Sequence, residues 1–349
     1  TRAQAAVDSS LASLPGDNPG AYSLLATLQN VRHEFAASLE SARIAAALDP
    51  ADIAARLTVA DAMLALGRYD EAFDAYLSLV DRAPSLATFS RLAVAHELRG
   101  DLAEAEAAWE NALSTDGRGN PEATAWAHFQ FGNFYFNQGD LEAAASRYAD
   151  AADAFPGYIH ALAGEARVAG ARQDYERAIA LYTAATERQP FPEYIAALGD
   201  VYAAAGRNLE ADRQYALIDA IGALYTENGI ATDLQMAMFL ADHDLRPEEA
   251  LAAAQAAYEQ QPGSVYAADA LAWALYKNGR PEETLQYVEQ ATRLGTRDAG
   301  LFFHAGMIHH ALGDERAARG ALESALAINP HFSVLNAPIA ARTLAEIGR

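Results

Sequence analysis

Apolar residues recur along the chain at three- and four-residue steps, the spacing of one buried helix face. These helical stretches are short, and turn residues interrupt them at a regular distance. The segment Ala125–Pro156 (AWAHFQFGNFYFNQGDLEAAASRYADAADAFP) is the clearest. Phe131, Gly132 and Tyr135 share one face of a first helix. Gly139 closes that helix, because glycine adopts the left-handed turn without a Cβ penalty. Asp140 is placed to cap a second helix, whose buried stripe is Ala144, Tyr148 and Ala151. Pro156 breaks the chain before the pattern begins again.

The breakers form two ladders. Pro50, Pro84, Pro156, Pro190, Pro262 and Pro330 are spaced by 34, 72, 34, 72 and 68 residues. Gly67, Gly100, Gly139, Gly206, Gly279 and Gly313 are spaced by 33, 39, 67, 73 and 34. Both sets fall near multiples of about 34, the mark of a repeat architecture. Two insertions of about five residues account for the departures, one at Thr115–Pro121 (TDGRGNP) and one at Gly222–Ile230 (GALYTENGI), and both read as loops. The spacing predicts nine two-helix units over residues 19–332, a lone helix within 1–18 (Gln4–Leu14) and a last helix within 333–349 (Ala337–Ile347, with Pro338 in its first turn).

The slots that recur resemble those of the tetratricopeptide repeat family: a large residue, Leu-Gly, Tyr, Gly, Ala, an aromatic, Ala and Pro. Ala125–Pro156 fills nearly all of them. Pro192–Tyr215 supplies Leu198, Gly199, Tyr202, Gly206, Ala211 and Tyr215, and Leu301–Pro330 supplies Ala305, Gly306, Gly313, Ala318, Ala325 and Pro330. The glycine slot is held by His33 in the first unit, Gln173 in the fifth and Leu245 in the seventh. The resemblance implies an all-α, right-handed superhelical solenoid of nine repeats making roughly one turn, with terminal capping helices. First helices would line its concave face and second helices its convex face. It also implies a protein-binding function, with an extended peptide or a partner's helix held in the concave groove.

Projected onto the family pattern, the groove draws on Trp126, Phe129, Asn133, Phe136, Asn137, His160 and Arg167 in the middle of the chain. The C-terminal half adds Gln235, Phe239, Asp242, His243, Tyr266, Asp269, Trp273, Tyr276 and Lys277, and the ninth unit adds Phe303, His304, Met307 and His310. Aromatics beside Asn, Asp and Arg are what a recognition surface uses. The same aromatics could instead pack between units, since a first helix has more than one buried side. The units around 54–65 and 193–204 offer mostly small residues. A carboxylate clamp for a partner's C-terminus, as in chaperone-binding members, is disfavoured. Asn133 and Arg167 occupy two of its slots, but its paired lysines are missing.

Composition agrees with a helical array. Alanine fills 84 of 349 positions, and alanine is the best helix former. The net charge of −22 repels phosphate backbones, so no nucleic-acid partner is expected and a basic protein partner suits the chain better. No apolar run of about 18 residues is present, so no membrane insertion is expected. The absence of cysteine removes disulfides and thiolate chemistry. No GxSxG, P-loop or GxGxxG occurs, and His33-Glu34 and His96-Glu97 lack a second histidine four residues on. No enzyme activity, cofactor or metal is therefore expected. The Thr1 start and missing cysteine lean towards an exported protein.

The two ends suggest an alternative. A lone second helix at one end and a lone first helix at the other are complementary. Head-to-tail contact through Leu11, Leu14, Leu335, Ile339, Leu344 and Ile347 would build a self-assembling filament.

Overall fold

The computed structural model describes residues 2–14, 16–115, 119–227 and 233–347. Residues 116–118 of the first expected insertion and 228–230 of the second lie outside the described residues. Twenty α-helices are present, with no strand among the described residues. Helix α1 (Arg2–Ser13) precedes nine helix pairs. The first four are α2 (Pro19–Val31) with α3 (Phe35–Leu48), α4 (Ile53–Ala65) with α5 (Tyr69–Arg82), α6 (Leu86–Arg99) with α7 (Leu102–Thr115), and α8 (Pro121–Asn137) with α9 (Leu141–Ala154). The fifth and sixth are α10 (Ile159–Ala171) with α11 (Tyr175–Arg188) and α12 (Pro192–Ala204) with α13 (Asn208–Glu227). The last three are α14 (Asp233–Asp242) with α15 (Pro247–Gln260), α16 (Val265–Lys277) with α17 (Leu285–Thr292), and α18 (Ala299–Ala311) with α19 (Glu315–Ile328). Helix α20 (Asn336–Ile347) ends the array.

The fourth, sixth and ninth units are locked by a side chain of the second helix pressed onto a glycine of the first. The Tyr148 ring lies against Gly132 of its own unit and Gly164 of the next, and a Cβ at either would come within 2.5 Å of it. Tyr215 lies against Gly199 in the same way, and Leu322 against Gly306. Tyr148, Trp109 and Leu322 are all but fully buried. At the turns, His33 (φ 62°) and Gln173 (φ 63°) take the left-handed conformation in the glycine slot. In the seventh unit that conformation falls on Asp244 (φ 53°), and again on Arg246 (φ 44°), rather than on Leu245. The turn there is one residue longer than its counterparts. The expected loop at Gly222 is a further correction: α13 continues through it to Glu227, two turns longer than a typical second helix here.

The array does not open into a single wide turn. The turn residue of the second unit, Gly67, meets Gly263 in the α15–α16 loop, and a Cβ at Gly67 would overlap that backbone. Gly100 of the third unit meets Gly295 in the α17–α18 loop, and Gly139 of the fourth meets Asn329 beyond α19. Each contact joins a unit to the loop between five and six units further along. One superhelical turn therefore closes well before the nine units expected, and successive turns touch edge to edge. The seam is apolar at Tyr69, Leu98 and Val265, all buried. Among the described residues, hydrogen bonds cross it that end on backbone near a helix terminus, where intrahelical partners run out. The Val265 N–H donates to the Tyr69 hydroxyl (2.9 Å), Thr296 Oγ1 donates to the Leu98 carbonyl (2.5 Å) and Asn329 Nδ2 donates to the Phe136 carbonyl (2.7 Å).

Candidate functional site

Closure turns the inner, first-helix face into a lumen with two chambers. The more polar one, about 750 Å³, has walls from both turns: Tyr69, Arg91 and Glu97 on one side, Ser264, Thr296 and Asn329 on the other. The second, about 790 Å³, is walled by Leu234, Met236, Met238, Phe239 and Ile218. Leu234 and Tyr266 line both chambers, so the two adjoin there.

Polar groups of the first helices are anchored from behind by buried aromatics of the second helices. Asp61 accepts from the Tyr76 hydroxyl (2.8 Å) and from Arg91 Nε (2.7 Å), which crosses from the next unit. Asn133 Oδ1 accepts from the Tyr148 hydroxyl (2.8 Å), and Asp200 from the Tyr215 hydroxyl (2.9 Å). Asp61, Asn133, Arg167 and Asp200 each stand six residues before the left-handed turn residue of their unit. Glu97 accepts from Trp109 Nε1 (2.8 Å), and burial pushes its carboxyl up to about 7 against that hydrogen bond. Arg167 lies 3.8 Å over the Phe136 ring and donates to Asn137 (3.2 Å).

Beneath the second chamber runs a buried chain of charge. His304 Nδ1 stands 2.9 Å from Asp269, its Nε2 3.5 Å from Asp242, and its ring stacks on Trp273 with centroids 4.2 Å apart. Trp273 Nε1 donates to Asp242 (3.0 Å). Burial alone would lower the His304 pKa, but the two carboxylates outweigh it and hold the imidazole up at about 10. Burial pushes the Asp269 carboxyl up, and the His304 charge opposes it. His243 Nε2 lies 2.7 Å from Asp200 and its Nδ1 2.6 Å from the Phe239 carbonyl. Burial lowers the His243 pKa, but these contacts carry it above its ordinary value.

The sequence-predicted residues divide accordingly. Trp126, Asn137, Arg167 and Tyr266 line the first chamber, and Phe239, Tyr266 and Asp269 line the second. Trp126 and Tyr266 are the exposed aromatics among them, at 36% and 39%. Phe136, Trp273, Phe303 and His304 were expected in the groove, but their side chains are buried in the body of the array. The reason is that a first helix packs against neighbouring first helices as well as its own second helix. Trp273, for example, lies against Phe303 of the next unit. Phe129 is half-buried beside Tyr148, Tyr158 and His160. Asn133, Tyr276, Met307 and His310 line neither chamber. Asp61, Arg91, Glu97, Glu193 and Asp200 were missed. The signal for Asp61 and Asp200 was the fifteen-residue step to Tyr76 and Tyr215.

At the C-terminal end, Ile339, Leu344 and Ile347 pack inward on the α18–α19 core, and Leu335 is half-buried. Pro338, Ala341, Arg342, Ala345 and Glu346 face outward on α20. At the other end Leu11 is half-buried and Leu14 is 58% exposed. Among the described residues, no group of three His, Asp or Glu side chains could hold a metal ion. No helix among them is long and apolar enough to cross a membrane.

The sequence matches the tetratricopeptide repeat family model over residues 24–87, 163–220 and 270–331, together just over half of the chain. No curated protein matches it in sequence. Among solved structures, a human IFIT1 dimer with PPP-AAAA aligns with a TM-score of 0.53 at 15% identity, over 88% of this chain and 72% of that one. The APC/C hetero-tetramer Cut9-Hcn1 aligns with a TM-score of 0.50 at 15% identity, over 94% of this chain and 62% of that one. A tetratricopeptide repeat protein from Parabacteroides merdae ATCC 43184 aligns with a TM-score of 0.43 at 16% identity, over 78% of this chain and 99% of that one. At these identities the likeness is one of fold.

Proposed function

Because the chain belongs to the tetratricopeptide repeat family, we propose that it is a non-enzymatic protein-binding scaffold whose partner segment lies in the lumen and spans both chambers at Tyr266. The observation that carries this reading is the placement of Trp126 and Tyr266. Both are large aromatics left exposed on first helices, facing the first chamber beside Arg167, Asn137 and Asp298. Water-exposed aromatic area inside a concavity, next to a few directional polar groups, is the composition of a binding hot spot. The −22 charge supports a protein partner over a polyanionic one.

Trp126→Ala and Tyr266→Ala should each weaken a captured partner about ten- to hundredfold, the range of an aromatic hot spot. The circular dichroism spectrum should not change, since both side chains are partly exposed. Isothermal titration with the purified partner checks this. Unchanged affinity in both variants, with loss on substituting an outer residue such as Leu77, would move the binding surface to the outside of the solenoid.

A further inference from the structure

The two chambers differ in chemistry in a way that selects what can lie in each. The first is balanced: Asp61, Glu97 and Asp298 face Arg91, Arg167 and Arg297, among hydroxyl and amide side chains. Such a lining suits the peptide groups of a neutral stretch. Among the described residues, no arginine or lysine lines the second chamber. Glu193, Asp200, Asp242 and Asp269 line it, against His33 and His243, with His304 behind. Even with all three histidines charged, carboxylates outnumber cations. Between these carboxylates the walls are apolar and polarisable, from Met236, Met238 and Phe239.

An acidic, apolar chamber excludes carboxylates and rewards a side chain that carries a cation on or beside an apolar body. Its volume of about 790 Å³ holds only a few side chains. On the reading that a partner segment occupies the lumen, we propose that the second chamber is its specificity site and takes an arginine or lysine adjacent to a bulky aliphatic or aromatic residue of an extended peptide. The flanking neutral residues lie beyond Tyr266 in the first chamber. Phe239 offers a ring face to the cation and Glu193 a carboxylate at the chamber's exposed rim.

The test uses the full chain and a synthetic array of octapeptides in which charge and apolar content vary independently. The tightest member is then measured by fluorescence anisotropy against wild type and Glu193→Lys. Bound peptides should be enriched in a basic residue beside a bulky apolar one, and peptides with an acidic residue at that place should be depleted. Glu193→Lys should weaken the best peptide roughly three- to tenfold, as expected for reversing one solvent-exposed charge. Glu110→Lys, on the exposed side of α7, should leave it unchanged. If the bound peptides are neutral or acidic, the charge selection is wrong while binding in the lumen stands. If basic peptides bind equally to wild type and Glu193→Lys but weaken with Glu110→Lys, the site is the outer surface. If no peptide binds up to millimolar concentration, the proposal and the peptide-binding reading both fail.

Discussion

His304→Ala should destabilise the C-terminal units by about 3–5 kcal/mol near neutral pH, the cost of removing one partner from a buried charged cluster. The variant leaves Asp269, itself buried, and Asp242 facing each other without the imidazole that now stands between them. It also removes the ring stacked on Trp273. The pH dependence separates charge from packing. The folded-state pKa of about 10 lies above the ordinary histidine value of about 6.5. The stabilisation from the protonated ring is therefore complete below about pH 6.5 and is lost as pH rises through about 10. Urea unfolding across this window should show wild type losing stability while His304→Ala loses less, so the gap between them narrows. A gap constant from pH 6 to above 10 would mean that His304 is a neutral packing residue.

Trp109→Ala is expected to cost a comparable amount, about 3–5 kcal/mol, for a different reason. Trp109 is 1% exposed, stacks with Phe131 at 6.2 Å between centroids and packs edge-on to Trp126 at 6.3 Å. Alanine would leave a cavity between the third and fourth units and take the indole donor from Glu97. Because Glu97 lines the first chamber, the damage reaches the lumen as well as the core. Trp109→Phe keeps most of the volume and should cost only about 1–2 kcal/mol, chiefly the lost hydrogen bond to the Glu97 carboxyl. Chemical denaturation of both variants checks the order. Equal losses would assign the effect to the hydrogen bond alone.

The repeat was legible in the sequence because each of its slots answers a local steric demand. Gly132 and Gly199 must be bare for Tyr148 and Tyr215 to seat, and Gly139 must turn left-handed. His33 and Gln173 show that the turn geometry outlives its usual residue. The same logic misplaced the seventh turn, where an extra residue shifts the left-handed position from Leu245 to Asp244. The composition of Gly222–Ile230 suggested a loop, yet the helix runs on as far as Glu227, since a single glycine costs a helix only about 1 kcal/mol.

The site was less legible than the fold. Of the aromatics read as groove residues, Trp126 and Tyr266 line the first chamber. The same reading misplaced Trp273 and Phe303, which pack between units. Small neighbours on α4 and α12 concealed Asp61 and Asp200, whose role appears only when the step to the anchoring tyrosine is followed. The seam could not be read at all. Its partners are separated by about two hundred residues, and Gly67 at Gly263 is indistinguishable in sequence from any other turn glycine.

The chambers exist because that seam holds the two turns together. The most direct measurement is hydrogen–deuterium exchange at the Val265 amide, in wild type and in Tyr69→Phe. Val265 is the first residue of α16, so its N–H has no partner within the helix. Its hydrogen bond goes to the Tyr69 hydroxyl, 196 residues away in sequence. A closed lumen predicts that Val265 is protected in wild type and exchanges much faster in Tyr69→Phe, while the interior of α16 is unchanged. Equally fast exchange at Val265 in both proteins would mean that the turns are apart and the inner face is an open trough without chambers.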